Sequence, residues 1–158
     1  MRTPGVVDGA IAGAVGSAAL NVVSYLDVAV RARPTSSTPE ETVGRLAGLA
    51  HVDLGPEDRA ANRRSGLGAV LGYVLGIGAG AAFGALASGR RMSPVVATAL
   101  LGGGVMATTI GSLATLRISD PRSWSRSDWF ADLVPHLAYG MAAAATLNRL
   151  RPPSARCG

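Results

Sequence analysis

Residues 68–84 read GAVLGYVLGIGAGAAFG, with a glycine at every fourth position: Gly68, Gly72, Gly76, Gly80 and Gly84. On an α-helix, residues four apart return to nearly the same azimuth, so these glycines form one slowly drifting ridge without side chains. In water each glycine weakens a helix by about 1 kcal/mol relative to alanine. In a bilayer the backbone has no water to bond to, so the helix persists and the bare ridge lets a neighbour come close. The stretch therefore reads as a membrane helix built for tight packing, a glycine zipper. Gly140 marks a second site of the same kind near the C-terminal end.

The composition supports this. The chain is 48% hydrophobic yet has only seven aromatics against 21 glycines, so Ala, Gly and Val carry the apolar mass. Close helix packing in lipid favours small residues at that density. Charges sit between apolar runs, whereas a soluble bundle would repeat them along every helix. Four spans are expected, at about 9–30, 67–87, 94–116 and 130–147, each long enough for a hydrocarbon core of about 30 Å. The fourth is crowded at its start by Asp132, Pro135 and His136. Arg2 followed by an apolar stretch resembles a signal peptide, but Asn21 and Asp27 interrupt that stretch and it is too long, so it reads as a retained first span.

Start signals agree with these bounds. Ser93 precedes Pro94 as an N-cap precedes a first-turn proline, and Ser125 with Asp128 forms a capping box. Ser65 reads as the cap of the second span, with Asp8 at the start of the first. The long connection from Arg31 to Ser65 holds Thr38, Pro39 and Glu41, a second capping box. Val43, Leu46, Ala47, Ala50 and Leu54 follow at helical spacing. This predicts a short amphipathic helix over about 39–51, lying as a cover at the membrane surface. The fold class expected is thus all-α: an integral membrane four-helix bundle with a short amphipathic helix in the first long loop, one domain over 1–158. Each half reads as a Gly-rich span, a polar stretch and a second small-residue span, a weak internal echo.

All 15 basic residues are arginine and the net charge is +5. Absence of lysine reads as GC-rich codon use, and the positive balance suits anionic lipid headgroups. The arginines are scattered through loops without interleaved aromatics, which argues against nucleic-acid binding. Trp124 and Trp129 match an aromatic belt at headgroup depth. Arg90 and Arg91 in the shortest loop favour cytoplasmic termini, although the two longer loops on the other side hold more arginine. The lone Cys157 excludes an intramolecular disulfide and does not fit a prenylation signal.

Ionisable residues within spans are the default functional candidates, because placing them in lipid is costly. Asp27 near the end of the first span and His136 near the start of the fourth fall on the same side of the membrane. Asn21, Ser24 and Tyr25 extend the polar face inward, and Tyr73 and Tyr139 add to it. One reading is a proton or ion site with Asp27 as acceptor and His136 titrating near neutrality. The simpler reading pairs Asp27 with Arg31 and His136 with Asp132, each one helical turn away, as interfacial anchors. His51 and Asp53 lie on the same side, but their spacing matches no metal-ligand motif, so no metal and no cofactor is expected. Phosphate-binding, zinc-protease and nucleophile-elbow motifs are lacking, so no catalytic residue and no enzymatic activity is expected.

Three short stretches carry a resemblance: Gly9-Ala-Ile-Ala-Gly13, Arg33-Pro34 with Thr38-Pro39-Glu40-Glu41, and His136-Leu-Ala-Tyr139-Gly140. In their order the chain resembles small uncharacterised bacterial four-span membrane proteins, the domain-of-unknown-function type, and its composition looks like that of a GC-rich actinobacterium. The resemblance implies a multi-pass protein of the bacterial cytoplasmic (inner) membrane, with no substrate, cofactor or activity attached. The function expected is structural or accessory, with assembly driven by helix packing, the bilayer as partner, and a homo-oligomer or larger complex as the product. The alternative is a small ion or proton transporter or channel using the Asp27–His136 site. A ridge turned inward packs the monomer and one turned outward joins oligomers; inward is favoured, since four spans need a tight centre.

Overall fold

The computed structural model describes residues 4–88, 90 and 92–150, so Arg2, Arg91 and Cys157 lie outside the described residues. Among the described residues the chain is all helical, with no strand. It forms α1 (Pro4–Arg31), α2 (Thr38–Leu49), α3 (Glu57–Leu86), α4 (Pro94–Thr115), a 3-10 turn at Pro121–Ser123, and α5 (Arg126–Leu150). The four long helices alternate in direction. α1 packs on α3 and α5, α5 on α4, and α3 meets α4 only lightly. The short α2 lies outside this bundle against α3.

Glycine sets the helix spacing. A Cβ built on Gly9 would strike the Gly80 carbonyl oxygen, and one on Gly80 would strike that of Gly9. Gly5 and Gly84 are related in the same reciprocal way, and a Cβ on Gly13 would sit 2.5 Å from the Gly76 oxygen. The α1–α3 seam is thus backbone against backbone, a geometry suited to weak Cα–H···O contacts. The α4–α5 seam repeats it: a Cβ on Gly102 would lie 2.6 Å from the His136 carbonyl oxygen, and one on Gly140 would strike that of Thr98.

The five-glycine ridge does not face a single neighbour. Gly76, Gly80 and Gly84 meet α1, Gly68 meets Pro39 of α2, and Gly72 faces open space. Four residues advance an α-helix by a full turn plus about 40°, so the four steps from Gly68 to Gly84 sweep too wide an arc for one partner. The inward reading therefore holds for the part of the ridge that meets α1, and the Gly72 position is exposed.

The bundle is apolar on the outside. Its buried cluster is Ala12, Leu101, Tyr139, Ala143, Ala144 and Leu147, and among the described residues Tyr139 is the one large side chain fully enclosed. Val22, Leu26, Val30, Val74, Leu86, Val95, Phe130 and Met141 are all exposed. Apolar surface on that scale needs a partner other than water. Gly5–Arg31, Glu57–Leu86 and Pro94–Thr115 are long and apolar enough to cross a membrane. These three candidate spans suggest a multi-pass membrane protein. The fourth expected span, α5, has the length but not the composition, because Asp128, Asp132, His136 and Arg149 dilute its apolar residues.

Helix ends differ from expectation where tertiary contacts extend them. α1 begins at Pro4, not near Gly9, because its seam with α3 continues to Gly5, and this places Asp8 within the helix. α3 starts at Glu57, ten residues ahead of the expected Leu67, so Ser65 is a mid-helix residue and not a cap. Glu57 and Asp58 favour that earlier start through the helix dipole. α2 covers the extension, burying Val43 and Ala60. α2 itself ends at Leu49, two residues before the expected 51, and Ser37 occupies its cap position. Ser37 Oγ donates to Glu41 Oε1 at 2.5 Å, so the Thr38 box expected there is not formed. α5 extends beyond 130–147 at both ends.

Other signals are met. Ser93 Oγ accepts from Val96 N at 3.3 Å. Asp128 Oδ2 accepts from Ser125 N and Oγ, while Asp128 N donates to Ser125 Oγ, completing that capping box. The Ser125 hydroxyl and then its N–H hold the Asp128 carboxyl below the usual aspartate range. This contribution is full above about pH 4 and is lost as pH falls through the depressed value.

Three helices stop through left-handed residues that are not glycine: Ala32, His51 and Arg117, with φ of 50°, 55° and 56°. In each, the following N–H folds back to a carbonyl of the last turn: Arg33 to Val28, Val52 to Ala47 and Ile118 to Leu113. These are Schellman closures.

Because backbone cannot rotate aside, Gly80→Ala and Gly84→Ala should each destabilise the bundle by about 1–3 kcal/mol. Gly72→Ala, with open space around it, should be neutral or stabilising by up to about 1 kcal/mol. Thermal unfolding in detergent micelles, followed by helical circular dichroism, separates the two groups.

Candidate functional site

Three groups of polar residues involve the candidate site residues of the long helices. The innermost surrounds Tyr139, where α1, α3 and α5 converge. Its ring occupies the space left by Gly16 of α1, where an added Cβ would lie 2.8 Å from the ring carbons. Its hydroxyl donates to the Gly76 carbonyl oxygen of α3 at 2.6 Å. Ser17 Oγ donates to the Gly13 carbonyl oxygen at 2.9 Å and fills the bare face of Gly76. A phenol in a dry interior needs such an acceptor, and here the glycines make both the room and the acceptor accessible. Both hydroxyls of this group donate to backbone carbonyls, and that of Tyr139 ties α5 to α3.

The second group sits at the far end of α1. Asp27 accepts from Arg33 Nε at 2.7 Å and forms a salt bridge to Arg33 NH2 at 2.6 Å, with Arg31 NH1 at 3.4 Å. Arg31 NH2 also donates to Ser127 Oγ at 2.6 Å, tying the end of α1 to the start of α5. The pairing with Arg31 was legible from its one-turn spacing; the stronger one with Arg33 was not, because Arg33 lies beyond the helix. The left-handed turn at Ala32 is what brings its guanidinium back over Asp27.

The third group is Asp132 and His136, one turn apart on α5. His136 is buried, and its Nδ1 lies 2.7 Å from the Asp132 carbonyl oxygen and 3.6 Å from Asp132 Oδ1. A carbonyl oxygen only accepts, so Nδ1 carries the hydrogen and donates it. Asp132 Oδ2 is buried and has no hydrogen-bond partner among the described residues.

Asp27 and His136 are not brought together. Ser127 faces the Arg31 end of α1, and His136 lies nine residues further along α5, roughly 13 Å of helix. No hydrogen bond or salt bridge joins them among the described residues. Asn21 is half-buried on α1, while Tyr25 and Tyr73 are 64% and 41% exposed on the outer surface. Of the six residues expected to line one polar pocket, His136 and Tyr139 share the buried face of α5, whereas Tyr25 and Tyr73 lie on the outer surface and Asp27 is paired at the end of α1. Ser17 and Asp132 hold inner positions that sequence reading left unassigned, although the one-turn spacing to His136 did mark Asp132 as its partner.

His51 terminates α2 and is exposed, and among the described residues no three His, Cys, Asp or Glu side chains come together. Trp124 and Trp129 pack edge to face with centroids 5.1 Å apart, and Trp124 Nε1 donates to Ser119 Oγ at 2.7 Å. Beside them a cleft of about 510 Å³ is lined by Ala114, Arg117, Ile118, Ser119, Asp120, Pro121 and Arg122. It contains none of the six residues.

Comparison with protein-family models, with curated proteins and with solved structures gives no match, so no family is identified.

The Tyr139 tie between α5 and α3 has a measurable strength. Tyr139→Phe keeps the ring and removes one buried hydrogen bond, so it should cost about 1 kcal/mol. Tyr139→Ala also empties the space over Gly16 and should cost about 3–5 kcal/mol. Both are read as shifts in thermal unfolding in micelles.

Proposed function

We propose that the protein is a small structural or accessory multi-pass protein of the bacterial cytoplasmic membrane, without catalytic activity, and that its helices are joined by a glycine zipper. The observation that carries this reading is the bundle's surface: around a small core of Gly, Ala, Leu and Tyr139, the large apolar side chains of Val22, Leu26, Val30, Val74, Leu86, Val95, Phe130 and Met141 are exposed. A water-soluble bundle turns such side chains inward. Lipid is the partner that such a surface fits.

Two further features support the partners assigned to it. Gly103, Gly104 and Gly111 of α4 face open space, which favours close association with another copy or a larger membrane complex. Arg117 and Arg122 flank the cleft beside the two indoles, a setting suited to anionic headgroups at the membrane surface.

Fractionation of cells expressing the chain tests the reading. The protein should stay in the membrane pellet through an alkaline carbonate wash and leave it only with detergent. Recovery of a folded, soluble monomer without detergent overturns it.

A further inference from the structure

We propose that Asp132 and His136 form an internal proton-binding site, in which Asp132 Oδ2 carries the proton and His136 stays neutral. Three observations lead there. First, the Asp132 carboxyl is oriented so that Oδ2 is enclosed without a donor among the described residues. A carboxylate anion in that position would leave a charged oxygen unsolvated, at a cost of several kcal/mol in real interiors. A proton on Oδ2 removes the charge.

Second, the histidine is not arranged as the counter-ion. Its Nδ1–H points to the Asp132 backbone carbonyl at 2.7 Å, and the carboxylate oxygen stands off at 3.6 Å. A charged imidazolium placed to neutralise Asp132 would direct that N–H at the carboxylate. In the neutral ring Nε2 is left as an acceptor, so the pair holds one acid and one base a single helical turn apart.

Third, among the described residues no other charge is paired with Asp132. On α1, Asp27, Arg31 and Arg33 are paired with one another and with Ser127 nearer the helix end. α4 contains no ionisable residue. On α3, Arg63 donates to the Leu54 carbonyl oxygen, Arg64 pairs with Glu57, Asp58 and Arg59 are exposed, and Tyr73 is turned outward. On α5 itself, Asp128 is held by Ser125 and Tyr139 by the Gly76 carbonyl. About a quarter of the Asp132 side chain remains open, so the proton has a way to the surface while His136 lies behind it, 9% exposed. Of the acceptor and histidine named from sequence, the histidine stays and Asp132 takes the place of Asp27. The site does not depend on whether the protein's role is structural.

Infrared spectroscopy of the full chain in lipid at neutral pH tests this. The wild type should show the C=O stretch of a protonated, non-hydrated carboxylic acid. Asp132→Asn should abolish the band and Asp27→Asn should leave it unchanged. Absence of the band in the wild type, or its survival in Asp132→Asn, overturns the proposal. Should Asp132→Asn fail to fold, nitrogen NMR of His136 in the wild type decides: a neutral ring protonated at Nδ1 supports the site, and an imidazolium overturns it.

Discussion

Contact between the bare backbones of α1 and α3 is the constraint on which the rest of this structure depends. Where Gly9 and Gly80 exchange carbonyl contacts, and Gly5 and Gly84 repeat the exchange, no side chain separates the helices. Dispersion and weak Cα–H···O attraction act over many atoms at once at this range. Hydrophobic exclusion cannot supply the force in lipid, because the surrounding tails are as apolar as the helices. The short spacing also leaves little volume to fill, so Ala and Ser serve where a water-soluble core would use Leu or Phe. Tyr139 is the exception. Among the described residues it is the one aromatic ring fully enclosed, and it enters through the gap at Gly16 and bonds to the backbone at Gly76.

The same economy governs polar groups. Ser17, Thr108, Ser112, Thr115 and Thr146 each donate to the carbonyl four residues earlier, so their hydroxyls are satisfied within their own helix. Asp27 is neutralised by Arg31 and Arg33 at the helix end. Against that background of local pairing, two enclosed carboxyl oxygens lack a partner among the described residues, Glu40 Oε2 on α2 and Asp132 Oδ2, and the latter lies within the bundle of long helices. It lies on the helix whose composition is least suited to lipid, yet whose inner face is the most buried of all, with Pro135, His136, Tyr139, Gly140, Ala143, Ala144 and Leu147. α5 is accommodated because its polar residues turn inward or toward its ends, while Phe130, Val134 and Met141 face outward.

Much of the architecture was legible from local pattern. The four-residue glycine spacing, the Ser93–Pro94 start and the Ser125–Asp128 box act through neighbours in sequence, and all three have physical counterparts in the structure. The one-turn pairings of Asp27 with Arg31 and of His136 with Asp132 were legible for the same reason. The early start of α3 was hidden, because the segment 57–66 is charged and looks like loop until α2 is seen to cover it. The Arg33 contact was hidden as well, since it requires Ala32 in a left-handed conformation that an alanine does not advertise. The expected six-residue pocket dissolved because azimuth and depth are set by how the helices meet, and Tyr25 and Tyr73 ended on the outer face.

By itself, the sequence determined the class: helical, rich in small residues, apolar in runs long enough to span a bilayer, and able to form close seams. Periodicity and composition are local quantities, so they carry that much. Only the tertiary structure decided which glycines meet which neighbour, that Tyr139 closes the centre, and that Asp132 rather than Asp27 keeps an unpartnered oxygen. Those outcomes depend on rotation and offset between helices, which arise from contacts between residues far apart in the chain.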